Sequence, residues 1–478
     1  MSSSLLGIGR TALLTQQRAL QVVSQNIANV ETPGYSRQEA LLSASNPVRM
    51  PWGVVGTGVE IVDVTRKRDQ LLDTAFRDNE GRAAGADTRR SLLTGVEQIF
   101  GEPSDRGMST ALDQFWSSWS DLSANPSSPA ARSAVQQRGR QVAQLFNSYD
   151  RQLTSMRDQA ISRVQSTVLE VNNLATQVAD LNGRILSSEA GGRTAGDLRD
   201  ARDLAIDRLS TLVGASSTTN TDGTLTVTIA NATLVDNTTA RPLTVSFDPP
   251  PTPPALVPAD LPIQLRLGSS PDPLPPTGGQ LGASIVVVNR DVPDMRAKLD
   301  ALAAALASEV NTVHNTGFTF PTNLPPGVAA GDFFDPGSVA QPVTAASFKL
   351  LKAIDDDASG IAASTDQNGP TNNAVALAMT ALREKPNTVS LGGTSGSFLG
   401  FFRTTMTQLG LETSRAGTEA EAFQALTVQA ENRRQEVSGV NLDEELVAMM
   451  RFQQAYAAAA KLITTADEMM QTLLTLKQ

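Results

Sequence analysis

The residues of this chain that come nearest to a metal site are the acidic side chains between positions 355 and 366. Asp355, Asp357 and Asp366 occupy positions one, three and twelve of this stretch, and Gly360 occupies position six, which is the spacing of a calcium-binding loop. Position eight is Ala362, where such loops carry a larger apolar residue, and a Gly-Pro pair follows where the exiting helix should begin. We therefore expect an acidic surface turn here and no metal site.

Catalytic chemistry has few residues available, because the chain has no cysteine and a single histidine, His314. This scarcity excludes disulfides, thiolate nucleophiles, iron–sulfur clusters and histidine-rich zinc sites. His314 lies near the end of a predicted helix, where its ring can satisfy terminal carbonyl groups, so we expect a structural role. The glycine-rich run 392–396 lacks the Gly-Lys-Ser/Thr ending of a phosphate-binding loop. The sequence predicts no catalytic residue and no cofactor.

Charge and hydropathy narrow the choice of partners. The chain has 39 basic and 49 acidic residues, a formal net charge of −10, which argues against a nucleic-acid partner. The short basic runs at 66–68, 89–90 and 433–434 are set among acids and are predicted to be solvated faces. No apolar stretch reaches the roughly eighteen residues that span a bilayer. Polar residues also interrupt the first thirty positions, so we predict neither membrane insertion nor a cleaved signal peptide.

Both ends of the chain carry apolar residues at seven-residue spacing, the pattern of a helix that pairs with another helix. The N-terminal helix is predicted from about 4 to 30, ending before Thr32-Pro33-Gly34. Its apolar column is Leu6, Leu13, Leu20 and Ile27. The C-terminal helix is predicted to begin near Asn441, followed by acidic residues that suit the positive end of a helix dipole. Its main column is Leu442, Met449, Tyr456, Ile463 and Met470, beside a second column of Phe452, Ala459, Ala466 and Leu473.

The four N-terminal and five C-terminal residues of the two main columns are our predicted assembly interface. A narrow apolar seam of this kind is marginal without partners, because it does not offset the entropy of ordering the helix. A seam that pairs only within one molecule and a seam that also pairs within a polymer fit the pattern equally well. The heptads alone leave both interpretations open.

Between the ends, the sequence predicts long amphipathic helices broken at Asn125-Pro126 and Gly191-Gly192. They are predicted at 89–100, 108–123, 129–187, 195–213, 293–313, 400–411 and 418–437. Thr-rich alternation around 225–229 and twelve prolines between Pro242 and Pro276 predict short strands and a stiff loop. A further strand is predicted at 284–289, and a second small β-rich module, with one helix at 373–382, from about 318.

The predicted fold is mainly α with β-rich insertions: terminal helices paired as a coiled coil, a long helical-bundle body, and one or two small β domains. The division into domains follows the same pattern. We predict a terminal coiled-coil assembly domain (1–35 with 438–478), an extended or β linker region (36–84), a helical body (85–213 with 291–317 and 400–437), a β-rich insertion with a Pro-rich loop (215–290), and a second β-rich module (318–399).

Segments at both ends of the chain resemble the paired signatures of flagellar rod, hook and hook-associated proteins. The N-terminal segment is Asn26–Arg37, with the sequence Asn-Ile-Ala-Asn-Val-Glu-Thr-Pro-Gly-Tyr-Ser-Arg, and the C-terminal segments are 438–445, 453–456 and 465–469. Within this group, the middle of the chain is similar to the hook-associated protein 1 family. The segments that carry this similarity are 125–132, 198–214 with Asp200, Arg202 and Asp203, 311–317, 331–334 and 372–378.

The resemblance implies a non-enzymatic structural subunit that joins the flagellar hook to the filament. It implies assembly as a ring, with the hook protein and hook-associated protein 3 as neighbours. It also implies secretion to the flagellum through the type III export channel without a cleaved signal peptide, and an export chaperone on the C-terminal helix. The alternatives are another axial protein of the hook or rod type, a flagellar scaffold carrying a metalloprotease, which would need an absent His-Glu-x-x-His motif, and a cytoplasmic coiled-coil adaptor.

Overall fold

The computed structural model describes residues 2–50, 53–248, 261–319, 327–369 and 371–475, and helices dominate them. In chain order the helices are α1 (Ser2–Ala28), α2 (Gln70–Phe100), α3 (Met108–Ala124), α4 (Pro129–Glu189), α5 (Gly196–Val213), α6 (Gly279–Val286), α7 (Val292–His314), α8 (Lys352–Asp356), α9 (Ala374–Leu382), α10 (Phe398–Ser438) and α11 (Leu442–Thr475). A π-helical turn, Val287–Asp291, joins α6 to α7, and a 3-10 turn, Ala358–Gly360, follows α8.

The strands form small antiparallel sheets. They are β1 (Gln38–Ala44), β2 (Val48–Met50), β3 (Gly53–Val55), β4 (Val59–Arg66), β5 (Ser216–Thr219), β6 (Leu225–Ile229), β7 (Ala232–Asp236), β8 (Thr239–Ala240), β9 (Leu243–Phe247), β10 (Ile263–Leu267), β11 (Val389–Leu391) and β12 (Thr394–Gly396). Strands β5 to β8 form a four-stranded sheet in chain order, and the pairs β1–β4, β2–β3, β9–β10 and β11–β12 form two-stranded ribbons. The sequence thus predicted the fold class correctly.

A first hydrophobic core, which we call the first core, lies among α3, α7, α9, the first half of α4, the end of α2 and the start of α10. Its centre is aromatic: the ring of Phe333 lies 5.6 Å from that of Trp119 and 4.8 Å from that of Phe334, all three side chains being fully buried. Aromatic pairs in such tilted and edge-to-face arrangements add stability beyond the area that they bury.

A second hydrophobic core, the second core, lies between the second half of α4, α5, α6 and the sheets. Strand β6 alternates buried and half-buried residues, and its Leu225, Val227 and Ile229 face the core, as the period-two pattern predicted. Strand β10 has the same alternation. The four-stranded sheet and the β9–β10 ribbon are stable because each packs one face against the helices of this core.

Among the described residues, five asparagine side chains of helices make the same pair of bonds to extended chain. In each case the amide oxygen accepts a bond from a backbone N–H and the amide nitrogen donates to a backbone carbonyl of the same strand or loop, as a neighbouring strand would. The pairs are Asn26 with Gln38, Asn172 with Leu243, Asn182 with Leu225, Asn289 with Ile263, and Asn311 with Phe334. Because the amide carries both a donor and an acceptor, it satisfies a strand edge that a helix backbone cannot.

We expect Asn172→Leu to lower the free energy of unfolding by about 2–3 kcal/mol, because it leaves two backbone groups of Leu243 unpaired at a buried position. The control is Asn173→Leu, which makes the same change on the exposed side of α4. Urea unfolding of the full chain measures both. A loss for Asn172→Leu no larger than for Asn173→Leu would contradict the role that we give to the amide.

Helix boundaries agree with the sequence where caps are clear and differ where they are not. α4 begins at Pro129 after Ser128, whose side chain accepts a bond from the N–H of Ala131. The prediction that α2 begins near Arg89 was wrong: it begins at Gln70, so the segment 70–84 is helical and not part of an extended linker. The overlooked signal is Asp69, which caps the helix by accepting from the N–H of Leu71. The predicted break between 411 and 418 is absent, and α10 is continuous.

Two β predictions were also wrong. The segment 284–289 lies in α6 and the π turn, because a short apolar run between glycines and a proline has no periodicity that separates strand from helix. In 318–399, the described residues contain one hairpin of two three-residue strands, β11 and β12, and isolated bridges. They form no larger sheet. This segment packs Phe333, Phe334 and Phe348 into the first core, since buried aromatic residues decide its position more than strand pairing does. Residues 249–260, the middle of the Pro-rich tract, lie outside the described part of the chain.

Candidate assembly site

The two ends of the chain meet as an antiparallel helix pair. Gly9 of α1 lies against Ile463 of α11, where a Cβ at position 9 would come 2.7 Å from Ile463 Cγ1, and Asn26 lies against Glu445 at the other end of the pair. α1 also packs on the β1–β4 ribbon, where the Thr15 hydroxyl donates to the carbonyl of Val59 at 3.0 Å. The pair therefore forms one unit with the ribbon.

The centre of this pair is formed mainly by residues beside the two predicted main columns. The buried residues of α1 include Gly9, Ala19, Val23 and Asn26, and those of α11 include Glu445, Ala459 and Ala466. The predicted column residues Leu6, Leu13, Leu20, Ile27, Met449, Ile463 and Met470 are half-buried, and Leu442 and Tyr456 are 44% and 41% exposed. Ala459 and Ala466 of the second C-terminal column thus lie in the seam within the chain, and the side chain of Leu473 lies outside the described part. The main columns border the seam, and their role as an interface with other subunits remains a prediction.

A hydrogen-bonded contact between Asn26 and Glu445 locks one end of the helix pair. Asn26 Nδ2 donates to Glu445 Oε2 at 3.0 Å, and its Oδ1 accepts from the Tyr35 hydroxyl at 2.9 Å. Arg37 Nε donates to the other Glu445 oxygen at 2.7 Å, and Arg37 Nη1 pairs with Glu444 at 2.8 Å. Because Glu445 is 1% exposed, the arginine and the asparagine together compensate a charge that water does not reach.

The signature loop, residues 29–37, connects this pair to the helical body. Gly34 adopts a left-handed backbone with φ of +80° and lies against Leu204 of α5, where a Cβ would approach to 3.3 Å. The residues that follow turn inward, and Ser36 donates to Asp200 of α5 from both its N–H, at 3.0 Å, and its hydroxyl, at 2.7 Å. A glycine is needed here because a side chain favours neither this φ nor this approach.

Below the loop, charged side chains from four elements form a buried group that we call the aspartate–arginine cluster. It consists of Asp73, Asp200, Asp203, Asp207, Arg66, Arg68, Arg77 and Arg434. Arg66 Nη1 bridges Asp200 at 2.6 Å and Asp203 at 2.9 Å, and Arg434 of α10 pairs with Asp207 at 2.7 Å while its guanidinium lies 3.9 Å from the ring centroid of Phe76. The cluster ties β4, α2, α5 and α10 together.

The electrostatics of the cluster keep the Asp203 carboxylate ionised. Burial alone would raise the pKa of Asp203, but the attraction of Arg68, Arg66 and Arg77 outweighs it and holds this pKa below its usual range. Burial raises the pKa of the Tyr35 phenol, and the carboxylates of Asp197, Asp200 and Glu445 raise it further. Tyr35 is therefore a neutral hydrogen-bond donor throughout the ordinary pH range.

The basic runs that the sequence presented as solvated faces are partly buried. Arg66 and Arg68 are 10% and 12% exposed in their side chains, and Arg434 is 17% exposed. For these three arginines the prediction was wrong, because acids distant in the chain pair with them, as Asp200 does with Arg66 and Asp207 with Arg434. Lys67 and Arg90 are 52% and 47% exposed in their side chains, as predicted. Glu445 was interpreted as a helix-dipole residue, and its burial against Asn26 had no local signal in the sequence.

The residues first considered for chemistry have structural partners instead. His314 is buried, with Nδ1 donating to the carbonyl of Gly331 at 2.6 Å and Nε2 accepting from the N–H of Ala362 at 2.9 Å, and burial lowers its pKa to about 4. In the acidic stretch, Asp355 pairs with Arg140 at 2.6 Å and Asp357 accepts from the N–H of Ser359. Within the described residues, no group of three or more potential ligands is placed to hold a metal ion.

The two chain ends match models of known flagellar protein families. Residues 6–35 match the model of flagella basal body rod proteins, and residues 431–476 match the model of the flagellar basal body rod FlgEFG protein C-terminal region. The helix pair and its signature loop therefore define the class, which is that of flagellar axial proteins. Residues 93–334 match the model of the flagellar hook-associated protein FlgK helical domain.

Full-length relatives narrow the class. The chain is 32% identical to flagellar hook-associated protein 1 of Bacillus subtilis over 98% of both chains, and 27% identical to that of Salmonella typhimurium over 99% of this chain and all of the other. The flagellar hook junction protein FlgK from Burkholderia pseudomallei has the same fold, with a TM-score of 0.65 over 76% of this chain and all of the other, at 16% identity. The chain belongs to the flagellar hook-associated protein 1 family, which is a family of structural proteins and not of enzymes.

Proposed function

We propose that this protein is a structural subunit of the bacterial flagellum that forms the junction between hook and filament. The observation that carries the proposal is the antiparallel pair of chain ends, anchored to the body through the signature loop, in a chain that aligns over nearly its whole length with hook-associated protein 1. Full-length alignment favours this member of the class over the rod and hook proteins that share the terminal segments.

The exposed surface of the helix pair supports assembly with other subunits. α11 exposes large apolar side chains to between 41% and 61%, namely Leu442, Leu446, Val447, Met450, Tyr456, Leu462 and Met469. α1 adds Leu5 and Leu14. Apolar residues so closely spaced on a helix that already has one partner indicate a surface for further partners.

Neighbouring subunits of a ring would cover this surface, together with the hook protein on one side and hook-associated protein 3 on the other. Before assembly the same apolar surface of α11 would suit an export chaperone. Secretion through the flagellar export channel needs no cleaved signal peptide, and no helix in the described residues is long and apolar enough to cross a membrane. The predicted column residues, Ile463 among them, are the positions that we assign to contacts between subunits.

The proposal is tested in cells that lack the gene for this protein. We expect such cells to complete their hooks, to release filament subunits into the medium and to stop swimming. A copy with an epitope tag in the exposed Gly191-Gly192 turn should restore swimming and be detected by immunogold labelling at the boundary between hook and filament. Filaments that form without the protein, or label that is confined to another part of the flagellum, would contradict the proposed function.

A further inference from the structure

The first and second cores meet at the level of the π turn, where Val287 belongs to the first core and Val288 to the second. On the buried face of α4, Leu153 belongs to the first core and Ala160 to the second, and Arg157 lies between them with only 1% of its surface exposed. At the same level Arg89 of α2 pairs with Asp291 at 3.2 Å and, from α10, with Glu412 at 3.1 Å. Arg89, Asp291 and Glu412 border an open groove of about 560 Å³ between α2, α7 and α10.

The π turn interrupts the helical segment formed by α6 and α7, and the sequence explains why. The N–H of Val292 bonds to the carbonyl of Val287, five residues earlier, instead of the carbonyl of Val288. The next residue, Pro293, has no N–H, so the carbonyl of Val288 receives no donor from its own helix. Arg157 supplies the donor from α4, with its Nε 3.2 Å from Val288 O, and it also donates to the carbonyl of Leu261.

We propose that the π turn 287–291 and Arg157 form a bending joint between the two cores. A π turn in a long helix, next to a proline, is a recognised point of bending. Beside the buried Val287 and Val288, hydrogen bonds and ion pairs hold this level, and they adjust to small rotations with less loss than closely packed apolar side chains do. The open groove gives α7 and α10 room to approach or separate. A subunit with such a joint can take different bends at different positions in one assembly. The proposal concerns the isolated chain and does not depend on the proposed function.

The absence of cysteine makes the joint directly measurable, because introduced cysteines are the sole sites for spin labels. One pair, Leu169→Cys with Leu377→Cys, places exposed labels on opposite sides of the joint. Two control pairs stay on one side: Leu169→Cys with Leu186→Cys, and Gln144→Cys with Leu377→Cys. Electron–electron double resonance on the full chain gives the distribution of distances for each pair. We expect the distribution across the joint to be at least twice as wide as both controls, and an equally narrow distribution would overturn the proposal.

A variant at Pro293 tests whether the bending arises at the π turn. Pro293→Ala gives the helix an N–H of its own that can bond to Val288 O, and we expect it to narrow the distribution of distances across the joint by about half. The control pairs should not change. Circular dichroism before labelling establishes that each variant is folded. A cross-joint distribution that stays as wide in Pro293→Ala as in the parent would show that the bending does not arise at the π turn, and the proposed joint would be wrong.

Discussion

Ile463→Asp should abolish filament formation while leaving the helical body folded. Ile463 is half-buried against Gly9 of α1, and its other side faces the surface that we assign to neighbouring subunits. A carboxylate at this position replaces an apolar contact with Gly9, and once neighbours exclude water we expect it to cost about 2–5 kcal/mol for each subunit. The loss is repeated in every copy of an assembly. The body should melt at nearly the temperature of the parent, because the first core contains no residue of α11.

Purified protein added to cells that lack the gene separates failed assembly from failed export. We expect the parent protein to restore filaments on existing hooks and Ile463→Asp to restore almost none, as counted by electron microscopy. Thr464→Asp is the control, because it places the same charge on the adjacent, exposed position. If the supplied Ile463→Asp protein restores filaments as well as Thr464→Asp does, the main C-terminal column is not an assembly interface.

Among substitutions that remove a single charge near the signature loop, Asp203→Asn should lower the free energy of unfolding most. Asp203 lies within ion-pair distance of Arg66, Arg68 and Arg77, and removing its charge leaves these buried cations with fewer acids than they need. Loss of one partner from a buried group of this kind costs about 3–5 kcal/mol. The control is Asp180→Asn on α4, an exposed pair with Arg184 that should change stability by less than about 0.5 kcal/mol. Urea unfolding followed by circular dichroism measures both variants.

The pH dependence of the same comparison provides an independent check. The folded pKa of Asp203 lies below its ordinary value of about 3.9, so the unfolded state binds the proton first as the pH falls. The stability contributed by the charge is therefore present above about pH 4 and is lost as the pH falls through the folded pKa. We expect the difference between the parent and Asp203→Asn to be constant from pH 5 to 7 and to shrink in more acidic solution. A difference that grows on acidification would contradict the assignment.

The sequence predicted those parts of the fold whose signals are local. The terminal helices, α3, α4, α5 and α7 were found within a few residues because prolines, glycines and cap residues mark their ends, as Ser128 and Pro129 do for α4. The alternation in β6 was equally clear. The start of α2 was missed because Asp69 is a cap inside a charged run, and the π turn was taken for a strand because a run of valines has no helical period.

The anchorage of the helix pair could not be predicted in the same way. The signature loop was recognised, and Asp200 and Asp203 were noted in the chain, but nothing local indicates that Ser36 bonds to one and Arg66 to both. A charged residue among other charged residues has the composition of a surface, and only the tertiary contacts show that it is buried. The heptads raised the same difficulty, because Leu442 and Ala459 lie on the same helix and the pattern does not say which of them is covered by the chain itself.

The bond between Asn26 and Glu445 has a consequence for the order of folding, since these residues are 419 positions apart in the chain. Closing a flexible loop of that length costs roughly 5 kcal/mol in chain entropy, and folding the intervening body first shortens the loop. Ser36 reaches Asp200 only 164 positions away, so the N-terminal segment can be held in place before α11 exists as a helix. The docking of α11 is then the final step. A polypeptide that ends before Glu445 leaves Asn26 and Arg37 without this carboxylate, so the closed contact marks a chain whose synthesis has passed Glu445.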